Sequence, residues 1–145
     1  MHLDKKISKL SNEGYSVVEN IYTVNELNLI LDAITSINSE DSDIMYNENL
    51  FAIRQLISNI PKLKALLFND KLKIILNRIF SSSFFLTKSI YFDKPKESNW
   101  FVPYHQDLSI SVNNKTKLVG FENWTHKNGL YGVQPPINVL DNTVT

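Results

Sequence analysis

The spacing of apolar residues changes once along this chain, and that change bounds the folds open to it. Up to Phe80 they recur at helical spacing: Leu27, Ile30, Leu31 and Ile34, then Leu63, Leu66 and Leu67, then Leu72, Ile75, Leu76 and Ile79. After Ser81-Ser82-Ser83 the period becomes two. Phe84, Leu86, Lys88, Ile90 and Phe92 fall on one face, and Phe85, Thr87, Ser89, Tyr91 and Asp93 on the other. These aromatic and β-branched residues suit a strand. Helices followed by strands predict an α+β fold, or a β-barrel with helical cover. At 145 residues the chain is long enough for one domain with its own core. The expected division is 1–82 mainly helical and 83–145 strands.

Local signals set the expected boundaries. Thr23-Val24-Asn25-Glu26 has capping-box form, so a helix is expected from about 24 to 37. Phe51, Ile53, Leu56 and Ile57 suggest a short helix ending before Pro61, and Pro61 suits the first turn of the next. Asn69 or Asp70 can cap the one after that. Gly14 to Glu19 alternates weakly, as a short strand would. The polar residues of 38–49 suggest a solvated loop, and His2 lies at an end expected to fray. Further strands are expected over Tyr104 to Val112 and at Val133-Gln134, before Pro135-Pro136.

Charge and composition exclude several classes of function. Fifteen basic residues balance fifteen acidic ones, so no excess charge draws the chain to nucleic acid or to an anionic membrane. No apolar run approaches the ~20 residues of a membrane span. There is no cysteine, which removes disulfides, thiolate nucleophiles and Cys-ligated metals. The charged N-terminus lacks the apolar stretch of a signal peptide, so a cytoplasmic location is the expectation.

Three features can carry chemistry. Lys88 falls on the most apolar face of its predicted strand, where an ammonium is costly unless an anion meets it. It either snorkels from the strand end or lines a pocket with an anionic ligand. His105-Gln106-Asp107 places an imidazole and a carboxylate two residues apart, on one side of an extended segment and ~6.5 Å apart at Cα. That spacing supplies two corners of a 2-His-1-carboxylate triad. A solvated strand face explains it equally well. Ser109 and Ser111 continue the side of Asp107, and Gln106 points to the other. His126, in Trp124-Thr125-His126-Lys127-Asn128-Gly129, is expected in a surface loop.

Lys88-Ser89-Ile90-Tyr91-Phe92-Asp93-Lys94-Pro95 and the run from Ser98 to Val112, with Tyr104-His105-Gln106-Asp107 at its centre, resemble the phytanoyl-CoA dioxygenase family. Gly120-Phe121, Trp124-Thr125 and Val133-Gln134-Pro135-Pro136 continue the likeness, and Gly14-Tyr15, Val17 to Asn20 and Phe51 to Arg54 extend it upstream. The resemblance implies a non-haem Fe(II)/2-oxoglutarate-dependent dioxygenase that uses O2 to hydroxylate a small organic or lipid-like substrate. It implies helices packed on the first strands of a double-stranded β-helix, a jelly-roll or cupin-like barrel. His105 and Asp107 would be iron ligands, Lys88 would lie near the 2-oxoglutarate carboxylate, and Trp124 and Gln134 would border the pocket.

The family pattern continues after Pro135-Pro136 with a distal His ligand and an Arg for 2-oxoglutarate. Here no His follows His126 and no Arg follows Arg78. The expectation is therefore a truncated copy with an incomplete barrel, inactive alone, or one whose barrel a second chain completes. Two other readings stand beside it. One is a non-catalytic remnant serving as a binding or scaffold domain. The other is a cupin-like hydrolase or isomerase with a different metal, disfavoured by the lack of a second pocket histidine.

Overall fold

The computed structural model describes residues 2–36, 44–47, 50–81, 83–93, 101, 103, 105–127 and 129–145, with backbone alone at 2, 44–47, 50 and 51. Mixed helix and strand is borne out. The chain divides into two interleaved units, 1–37 with 57–85 and 38–56 with 86–145.

The first unit is helical. α1 (His2–Glu13) occupies the end expected to fray. The weakly alternating 14–19 that follows joins no sheet. α2 (Val24–Thr35) starts at the expected capping box: Thr23 Oγ1 accepts from the Glu26 backbone at 3.2 Å, and Glu26 Oε2 accepts from the Thr23 backbone at 2.7 Å. It buries Ile30, Ala33 and Ile34. α4 (Leu63–Leu67) follows the Pro61 turn and buries Leu63 completely. α5 (Asp70–Phe80) is capped by Asn69, whose Oδ1 accepts from Leu72 N at 3.0 Å. The Asn69 amide also donates to Ile21 O and to Glu26 Oε1, so one residue ties the starts of α2 and α5 together. α5 ends where the period changes, at Ser81 in the left-handed region.

The second unit holds two antiparallel three-stranded sheets that do not close into a barrel among the described residues. The first has the order β1-β2-β3, from β1 (Ile44–Asn47), β2 (Leu50–Arg54) and β3 (Ile90–Asp93). Two expectations change here. Residues 51–54 form the central strand, with Ile53 opposite Tyr91, and the helix begins only at α3 (Leu56–Asn59). Residues 44–47 pair with β2 instead of looping, while 38–43, 48 and 49 lie outside the described residues.

The second sheet has the order β4-β6-β5, from β4 (Ile110–Val112), β5 (Glu122–Lys127) and β6 (Leu130–Gln134). Ile110 sits opposite Val133, and both are buried. After Pro135-Pro136 the short α6 (Ile137–Leu140) buries Leu140. The two long predicted strands shrink. Of 84–93 only Ile90–Asp93 joins the ladder, and of 104–112 only Ile110–Val112, with Tyr104 outside the described residues. Single backbone bonds hold the stretch before β3: Ser111 N donates to Thr87 O and Leu56 N to Ser89 O, both at 3.1 Å. Among the described residues no helix is long and apolar enough to cross a membrane.

Candidate metal centre

His105, Asp107 and Lys88 come together in the second unit. Asp107 is central: its Oδ1 lies 3.7 Å from His105 Nε2 and its Oδ2 lies 3.5 Å from Lys88 Nζ. His105 and Asp107 sit on the irregular stretch leading into β4, and Lys88 on the stretch leading into β3. The Ser111–Thr87 backbone bond holds those two stretches side by side.

The imidazole is oriented by its own chain. Pro103 O lies 2.9 Å from His105 Nδ1, and a carbonyl only accepts, so Nδ1 carries the proton. In the neutral ring this leaves the lone pair on Nε2, the atom turned toward Asp107. A ring N–H donated to a backbone carbonyl is the usual support of a metal-binding histidine. Two donors about 2.1 Å from one ion and at right angles stand roughly 3 Å apart. The observed 3.7 Å needs to close by only roughly 0.7 Å. The pair stands within reach of one divalent ion, as two of its ligands. Among the described residues no third His, Asp or Glu joins them.

Lys88 is not the buried cation that its apolar face suggests. Its side chain is 29% exposed, and its neutralising anion is Asp107 itself. Nζ also donates to Ser109 Oγ at 3.3 Å. An ion pair this open contributes on the order of 0–1 kcal/mol.

The other expected residues lie on the β5–β6 hairpin. Trp124 Nε1 donates to Phe121 O at 3.3 Å, and its ring packs edge-on against Tyr131. Gln134 Oε1 accepts from Asn123 Nδ2 at 2.7 Å. These contacts stay within the hairpin and its lead-in and do not reach Asp107. His126 is on strand β5, not in a loop, and its ring stacks on Tyr131 at 4.5 Å between centroids. The strand forms because β6 supplies partners at Tyr131 and Leu130.

Sequence reasoning gave Ser109 no role. Its signal was the period of two, which put it on the side of Asp107. The carbonyl of Pro103 carries no side-chain signal at all. An open groove of about 500 Å³ lies between α1 and α5 in the helical unit, where Arg78 is ion-paired with Asp4. Comparisons of the chain with protein-family models, with curated proteins and with solved structures returned no match.

Proposed function

We propose that His105 and Asp107 are two of the protein ligands of a non-haem Fe(II) centre, in a chain of the phytanoyl-CoA dioxygenase type that uses 2-oxoglutarate. The observation that carries this reading is the His105 ring: its Nδ1–H is held by Pro103 O, which leaves Nε2 free toward Asp107. The resemblance of the Tyr104 to Asp107 run and the nearness of Lys88 support it. In this reading the two sheets are the first strands of a jelly-roll barrel, and the third ligand position is left for a donor outside the described residues.

Bound there, held by His105 and Asp107, ferrous iron would supply the oxygen chemistry of a 2-oxoglutarate-dependent hydroxylation. The chain's own residues bind and orient. His105 offers a neutral lone pair, Asp107 an anionic donor, and Lys88 a cation for the 2-oxoglutarate carboxylate. Trp124 and Gln134 would border the pocket.

Anaerobic calorimetry with Fe(II), then with 2-oxoglutarate, tests the reading. Saturable Fe(II) binding is expected, weakened at least about tenfold by Asp107→Ala and by His105→Ala, in line with the loss of a metal-site residue. Iron affinity that both variants leave intact would refute it.

A second reading has its own support. His105 and Asp107 are 58% and 51% exposed, and Lys88 already neutralises the carboxylate. A non-catalytic binding or scaffold domain would keep such a cluster as a surface ion pair. It is distinguished by the absence of any Fe(II) binding.

A further inference from the structure

We propose that Lys88 is an internal competitor of the metal for Asp107, and that Ser109, already bonded to its ammonium, keeps that ammonium at the site once a metal has taken the carboxylate. The inference rests on the metal-site reading above and goes beyond it, because it gives Lys88 a role in the metal-free protein and gives Ser109 a role at all.

The geometry joins three groups. Lys88 Nζ stands 3.5 Å from Asp107 Oδ2 and 3.3 Å from Ser109 Oγ. One ammonium has three N–H donors, so it serves both neighbours at once. The two contacts respond differently to a metal. Asp107 attracts Lys88 by charge. A divalent ion on that carboxylate outweighs its single negative charge, and the field at Nζ changes sign. The Ser109 hydroxyl is uncharged, and its contact survives the reversal.

The lysine stem is flexible and partly exposed, so its head can turn without moving the backbone. The Ser111 N to Thr87 O bond keeps the stretch carrying Lys88 beside the stretch carrying Ser109. Lys88 is thus released from Asp107 but kept at the site. Until then it makes Asp107 a weaker ligand than a free carboxylate would be, because an incoming cation has to displace one already there.

Two measurements on the whole chain test this, with Mn(II) alone as the probe. In titrations followed by the loss of the free-ion electron paramagnetic resonance signal, Lys88→Met is expected to tighten Mn(II) binding on the order of tenfold, because a displaced cation no longer opposes the metal. Ser109→Ala is expected to leave Mn(II) affinity within about twofold, because its bond to the ammonium is present before and after the metal binds and cancels in the affinity. The second measurement needs no variant of Lys88. Acylation of Lys88 in the unmodified protein, quantified by mass spectrometry, is expected to quicken when Mn(II) is added, and also in Asp107→Asn without metal. Mn(II) affinity unchanged or lowered in Lys88→Met, or Lys88 acylation indifferent to Mn(II), overturns the proposal. If the unmodified protein takes up Mn(II) and these effects are missing, the competition alone is refuted. If it takes up none, the metal-site reading falls and the competition with it.

Discussion

Glu26 shows how much one side chain can hold at the residue scale. It accepts from the Thr23 backbone, the Thr23 hydroxyl and the Asn69 amide, and these bonds, the first the largest, keep its carboxyl below the usual 4.5. A depressed carboxylate contributes stability that is fully present above its unfolded pKa and is lost as pH falls through its folded pKa. The urea midpoint of the unmodified protein should therefore fall more steeply below about pH 4.5 than that of Glu26→Gln, measured in parallel from pH 6 to 3. Profiles of equal slope would contradict this. Thr23→Ala removes the reciprocal cap and should cost about 1 kcal/mol in urea denaturation. The box itself was legible because its partners are three residues apart. The Asn69–Glu26 bond was not, since 43 residues separate its ends. The same holds at the candidate centre. His105 and Asp107 announce themselves by spacing, while Lys88 and Ser109 meet across 21 residues and only the fold brings them together.

At the scale of elements, the β5–β6 hairpin depends on a glycine that periodicity does not mark. Thr125 sits opposite Gly132, and a Cβ built on Gly132 would lie 2.6 Å from Thr125 Oγ1. Gly132→Ala should therefore destabilise the protein by about 1–3 kcal/mol, as overpacking does. Adding Thr125→Ala should recover most of that loss, because only the hydroxyl is in the way. Additive losses in the double variant would show that the clash is not the cause. The β2 segment shows why local reading misplaced an element. Phe51 and Ile53 form a short apolar run that fits either a helix or a buried strand. The decision comes from β3, whose Tyr91 lies opposite Ile53 from far along the chain. The opposite failure occurs at 84–89. The period of two is present there, but Phe85 is 80% exposed and, among the described residues, only isolated backbone bonds are made, so no ladder forms between them.

For the whole molecule, an α+β fold followed from the change of period, but the interleaving of its two units did not. β1 and β2 arise within the helical half of the sequence because β3 provides their sheet. Ile53, fully buried in the central strand β2, is the residue on which that arrangement should lean most. Ile53→Ala should cost about 2–5 kcal/mol, read as a lower urea midpoint by tryptophan fluorescence, and this is a large share of the ~5–15 kcal/mol that holds an ordinary domain. A change under 1 kcal/mol would show that β2 is not central to the second unit. The central functional claim concerns one nitrogen atom and can be observed directly. Imidazole nitrogen NMR of the 15N-histidine-labelled protein distinguishes His105 from the other two histidines, His2 and His126. His105 is expected with its proton on Nδ1, and sub-stoichiometric Mn(II) should broaden its Nε2 signal before any resonance of His2 or His126. A proton on Nε2 of His105, or broadening that spares His105, would contradict a metal centre at this pair.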